Sequence, residues 1–155
     1  MSYKLIKDVR EVLYWEFRPG EYPGKYKKND FFDDTIYFNS DAMAIIDDCI
    51  QRAKKGRFDD PGHRGYYGYN KKRIQIMAGE LKIRLAEIIE DKDLSNRYRD
   101  KVINDLKKHK VEIVAMIKEL IEWLENLKVK KLSIIGPDTE FFAEGLGLVR
   151  GGGHR

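Results

Sequence analysis

Between Arg52 and Arg73 the chain gathers eight basic side chains, Arg52, Lys54, Lys55, Arg57, Arg64, Lys71, Lys72 and Arg73, against two acids, Asp59 and Asp60. That local excess of six charges exceeds the net charge of the whole chain, +4. Phe58, His63, Tyr66, Tyr67 and Tyr69 are interleaved with the cations, and Gly62, Gly65 and Gly68 permit close backbone approach. Cations neutralise phosphates and aromatic faces stack on bases, so the mixture suits nucleic acid or a nucleotide-type phosphorylated ligand. Lys71 and Lys72 fall near the start of an expected helix, where free backbone N–H groups favour anions. The expected contact surface is therefore the loop 57–73, with Arg57, His63, Arg64, Tyr66, Tyr67, Tyr69, Lys71, Lys72 and Arg73 as ligand-binding residues. A second basic cluster, Lys25-Tyr26-Lys27-Lys28, adds to it. Tyrosine and glycine also dominate protein-recognition loops. A protein–protein interaction factor (an inhibitor, adaptor or assembly component of the viral or mobile-element kind) is the alternative.

Catalysis has one foothold. Glu87 and Glu90 stand three apart on a helical face, and a hairpin turn near Asp93 and Leu94 puts Asp100 roughly across from Glu87. The segment Glu87-Ile88-Ile89-Glu90 resembles the Glu-x-x-Glu pair with which small all-helical nucleoside triphosphate pyrophosphohydrolases bind Mg²⁺. The resemblance implies a Mg²⁺ site at Glu87, Glu90 and Asp100 and a nucleotide phosphohydrolase as a second alternative. The downstream acidic pair of those enzymes has no counterpart at the matching place, and Arg97, Arg99 and Lys101 crowd the position. Mg²⁺ demands several oxygens in octahedral array, which this set does not offer. His63, His109, His154 and Cys49 lack metal-ligand spacing. No serine lies in a nucleophile-elbow context, and no Walker loop or G-x-G-x-x-G occurs. The reading is binding without catalysis and without a cofactor.

The elements expected to position these residues are mainly helical. Ala42, Ile45, Ile46, Cys49, Ile50 and Ala53 make an amphipathic stripe for a helix over 41–55, capped by Ser40 or Asp41. Ile74, Met77, Ala78, Leu81, Leu85, Ile88 and Ile89 predict a second helix over 70–91. Ser95 then opens the longest element, to about Lys128, and so short a link folds the two into an antiparallel hairpin. Along the long helix, Ile103, Leu106, Lys110, Ile113, Ile117, Leu120, Leu124 and Leu127 step by threes and fours, a heptad seam. Its apolar face is wide. Either the other two helices cover it, or a second copy does, which assigns Ile113, Ile117, Leu120 and Leu124 to a homo-oligomer interface.

The N-terminal segment carries mixed signals: Leu5, Val9, Val12 and Leu13 are spaced for a helix, while Tyr14 to Phe17 read as a strand. Thr35 to Phe38 is a second β-prone run, able to pair with the first across a long loop. Leu132 to Ile135 is a strand or an extended arm. The fold class is thus mainly α: a long antiparallel helical hairpin, one medium helix and a small N-terminal two-stranded β element.

With 155 residues and 42% apolar composition the chain fits one domain, 1–146, followed by a glycine-rich tail, 147–155, expected to be flexible. The single cysteine excludes an intramolecular disulfide, and no apolar run reaches the roughly 20 residues of a membrane span. Cytoplasmic residence, with no membrane partner, is the expectation.

Overall fold

Alternation along Trp15-Glu16-Phe17-Arg18 puts Trp15 and Phe17 on one side and Glu16 and Arg18 on the other, the period of a strand with two different faces. In the computed structural model, which describes residues 3–7, 14–20, 34–53 and 66–136, that segment is β1, Trp15–Pro19. It pairs antiparallel with β2, Ile36–Phe38, as the two β-prone runs suggest, with Phe17 opposite Ile36. The element order continues with helix α1 (Ser40–Ala53), β3 (Tyr66–Asn70), α2 (Lys71–Ile89), α3 (Asp100–Lys108), α4 (Lys110–Glu125) and β4 (Lys131–Ile135). The chain is mainly helical with a small antiparallel sheet, but the sheet has four strands, not two, in the order β2-β1-β4-β3.

Of the two extra strands, one is the strand that the run Leu132 to Ile135 allows, and the other was hidden by composition. Leu132 to Ile135 is an interior strand buried on both faces, which erases the alternation that marks a half-exposed one. Tyr66–Asn70 forms the edge strand despite its loop-like tyrosines and glycine, because β4 offers it a ladder from Tyr66↔Ile135 to Asn70↔Lys131. On the core face, Trp15, Phe17, Ile36, Phe38, Tyr69, Leu132 and Ile134 pack with the helices, and Phe17 meets Phe38 edge-on at 5.0 Å. Glu16, Arg18, Tyr37, Ser133 and Ile135 on the opposite face are buried as well.

α1 buries the predicted stripe, but its cap is Asn39, whose Oδ1 accepts the Ala42 N–H at 2.8 Å, one residue before Ser40. α2 starts from Asn70, which ends β3 and caps the helix by accepting the Arg73 N–H at 2.9 Å. It packs against both α1 and α4. Lys82 pairs with Glu125 and Lys110 with Asp91, so α2 and α4 run antiparallel, the expected hairpin.

The hairpin's second arm differs from the expectation of one helix over 95–128. Ser95 sits in a turn, its N–H bonded to Asp93 Oδ1 at 3.0 Å, and the arm is broken again at His109, which closes α3 and opens α4. The residue after the break faces the end of α2. Lys110 occupies a seam position, and its Nζ reaches back to the Ile89 carbonyl at 3.2 Å and Asp91 Oδ1 at 2.9 Å, where the last carbonyls of α2 attract a cation. The N-terminal segment fastens the same corner: Tyr3 stacks on His109 at 5.3 Å and donates its hydroxyl to Asp105 Oδ2 at 2.6 Å.

Ile113, Ile117, Leu120 and Leu124 lie in the chain's own core. The seam positions are buried within a single chain, where α2 packs against α4. No helix among the described residues is long and apolar enough to cross a membrane.

Candidate nucleic-acid interface

Strand register brings together cations that are far apart in sequence. β3 leads directly into α2, α4 leads into β4, and Asn70 lies opposite Lys131. The first residues of α2 therefore stand beside the turn that precedes β4. Lys71 and Lys72 are exposed at the head of α2 and Arg73 is half-buried, while Lys128 and Lys130 are exposed on the turn. α2 has no acidic residue in its first turn. Cations there meet the positive end of the helix dipole, an arrangement that disfavours the helix by about 0.3–1 kcal/mol per charge and that a bound anion would offset.

Between α2 and this turn runs a cleft of about 550 Å³. Buried Ile74, Ala78 and Leu124 form its floor with half-buried Leu127, and Val129 borders it. Four lysines, Lys71, Lys82, Lys128 and Lys130, stand at its rim against one carboxylate, Glu125, which holds Lys82 at 2.5 Å. Gly79 is also on the wall, and a Cβ built there would meet nothing within 4 Å. Residues 71, 75, 78, 79 and 82 share this face by helical spacing. A second cleft, of about 350 Å³, lies across the Leu127–Val129 ridge and carries Asp34, Glu119 and Glu122 beside Lys7 and Lys128, so its charge is mixed.

The aromatic part of the sequence reading changes. Tyr69 is buried under α1, and its hydroxyl donates to the Ile50 carbonyl at 3.2 Å; burial pushes its phenol well above the ordinary tyrosine range. Tyr67 is half-buried against the core with its hydroxyl shut off from solvent. Both rings are used by the sheet. Tyr66 lies in β3, and Arg57, His63, Arg64, the cluster at 25–28 and the tail 147–155 fall outside the described residues. Lys82, Lys128, Lys130 and Gly79 were missed by sequence reasoning. The β3–β4 pairing is the signal that would have joined them to Lys71.

Two of the three carboxylates of the Mg²⁺ alternative are paired with cations. Glu87 Oε1 accepts from Arg84 Nε at 3.0 Å, Glu90 pairs with Lys92 at 3.8 Å, and Asp100 opens α3. No group of three or more histidines, cysteines or carboxylates among the described residues could hold a metal ion. Arg84 is the centre of this region. Its side chain is 2% exposed and forks onto Asp48, Nη1 to Oδ1 at 2.9 Å and Nη2 to Oδ2 at 2.7 Å. The Tyr98 hydroxyl accepts from Nη1 and donates to the Ile45 carbonyl at 2.5 Å. Burial opposes the charge on Arg84, but the hydrogen-bonded Asp48 carboxylate outweighs it and holds the pKa above the usual arginine value. This network ties α1, α2 and the α2–α3 connection; it is structural.

Cys49 is 1% exposed, and burial, then the neighbouring Asp48, pushes its thiol up to about 12. A thiol-specific disulfide reagent at neutral pH should leave the folded protein untouched and react fully once denaturant is added, because the thiolate is the nucleophile. Reaction of the native protein within minutes would contradict this burial. Compared with protein families, with curated proteins and with solved structures, the chain matches none.

Proposed function

We propose that the protein is a non-enzymatic nucleic-acid-binding protein that contacts phosphates through the lysines at the head of α2 and on the α4–β4 turn. The observation that supports this reading most is the convergence of Lys71, Lys82, Lys128 and Lys130 around one cleft with a single acid among them. Exposed Lys72 and half-buried Arg73 stand beside Lys71 at the same helix end and extend the basic surface. The sequence favoured stacking on the β3 tyrosines, but the burial of Tyr69 and the packing of Tyr67 shift the reading to a lysine-led contact. Such a protein would work in the cytoplasm, where its single thiol stays reduced.

The triple change Lys71→Ala, Lys72→Ala and Lys130→Ala tests it. All three side chains are exposed, so the fold should survive with changes within about 0.5 kcal/mol for each. Affinity for a short oligonucleotide at low salt should fall. The slope of log affinity against log salt should flatten by up to about 0.7–0.9 per lysine removed. An unchanged slope, or no oligonucleotide binding by the unaltered protein at low salt, rejects the proposal. Loss of capture of a protein ligand, with polyanion binding absent throughout, would favour the interaction-factor reading instead.

A further inference from the structure

Phosphate binding alone does not account for the floor of the cleft. Lysine ammoniums at the rim satisfy phosphate oxygens in water, and an apolar trough between them gives those oxygens nothing. What it rewards is a flat or apolar body attached to the phosphates. We propose that the cleft takes an unpaired base, so that the protein selects single-stranded over double-stranded nucleic acid. The inference rests on the nucleic-acid reading above.

The shape and the lining of the cleft bear on it. The recess, at about 550 Å³, lies within the roughly 300–1,000 Å³ of small-ligand pockets and is not a flat electropositive patch. In a duplex the base faces are stacked on one another and cannot enter such a recess; in a single strand they are free to leave the stack. The lining also includes exposed Gln75, whose amide can donate to and accept from a base edge, while Glu125 is already paired with Lys82.

Gly79 is a further observation and the handle for a test. Mid-helix glycine is unfavourable relative to alanine. Here it leaves an open space on the wall of the cleft where any side chain would intrude. A base in the trough can therefore pack against the bare turn of α2. Gly79 is a specificity-determining position on this reading, and not a structural requirement, because a Cβ there clashes with nothing.

The experiment compares three probes by fluorescence anisotropy: a short single-stranded oligonucleotide, made as DNA and as RNA, an abasic strand with the same phosphates, and a duplex of half the length, so that each carries the same number of phosphates. The unaltered protein should bind at least one of the single strands about tenfold tighter than the duplex or the abasic strand. Gly79→Leu should remove that preference while leaving affinity for the abasic strand and its salt slope unchanged. Gly79→Ala, a smaller intrusion, should keep most of the preference. Thermal melts of both variants, expected at or above the unaltered protein, establish that the fold is intact. Equal binding of all three probes, or a preference that survives Gly79→Leu, overturns the base-binding inference while the phosphate-binding proposal stands. Failure of every probe to bind at low salt removes both.

Discussion

Replacing Arg84 with leucine should cost about 3–5 kcal/mol of folding stability, read as a lowered midpoint in urea denaturation. The guanidinium is almost fully buried, and its loss takes the paired cation from Glu87 and leaves Asp48 only the more distant Arg52, at 3.9 Å; both carboxylates are only 29% exposed on their side chains. It also removes the hydrogen bond to the Tyr98 hydroxyl, which in turn holds the Ile45 carbonyl. Partial solvation of the two carboxylates places the expected loss towards the lower end of the range. Two companion changes separate charge from shape. Asp48→Asn keeps the volume and one acceptor, so it should cost less than Arg84→Leu. The double variant Arg84→Leu with Asp48→Leu should recover part of the loss, since a buried pair replaced as a whole by apolar groups is tolerated far better than half of one. A loss below about 1 kcal/mol for Arg84→Leu would mean that the network contributes no more than a surface ion pair.

Ile117→Ala should cost about 2–5 kcal/mol through lost burial and an unfilled cavity. For a chain of this length each kcal/mol lowers the melting temperature by about 2–4 °C. The side chain is 0% exposed in a single chain, among Ile113, Leu120 and Leu124 on the face that α4 turns inward. Because the chain's own core fills the seam, the melting temperature of both proteins should be independent of concentration over a hundredfold dilution series. A melting temperature that climbs steeply with concentration in the unaltered protein, and loses that dependence in Ile117→Ala, would return the seam to an interface between copies.

Helices were legible from the sequence because their stripes are long and one-sided. Ile45, Ile46, Cys49 and Ile50 in α1, and Ile74, Met77, Leu81 and Ile88 in α2, are buried where their spacing put them. The break at His109 was not legible, since Lys110 continues the heptad register and only its tertiary partners, the Ile89 carbonyl and Asp91, reveal that it caps another helix. β3 was obscured because it has too much tyrosine and glycine to look like a strand, while β4, with too few polar residues to show a period, was legible only as a strand or an extended arm. Of the candidate interface, the cations at the head of α2 stood out by charge density. Their partners on the α4–β4 turn stayed invisible, because nothing local to Lys128 or Lys130 says that Asn70 pairs with Lys131. A similar blindness applied to Glu87, whose spacing from Glu90 resembles a metal pair while its carboxylate is held by Arg84.

The place of β4 in the sheet also governs the order in which the molecule can assemble. It lies between β1 and β3, so each of those strands obtains its central partner from the last described element of the chain. During synthesis the α1–α2 contacts, which are close in sequence, can form early. Phe17 must wait for Ile134, and Tyr69 for Leu132, until the ribosome has released nearly everything described here. Such distant pairings close large loops before they gain any contact, which slows the final step relative to an all-helical domain of equal size. In that interval β1 and β3 present unsatisfied edges and the tyrosine-rich face of β3 is uncovered, a window in which a nascent chain is most exposed to aggregation and most dependent on chaperones.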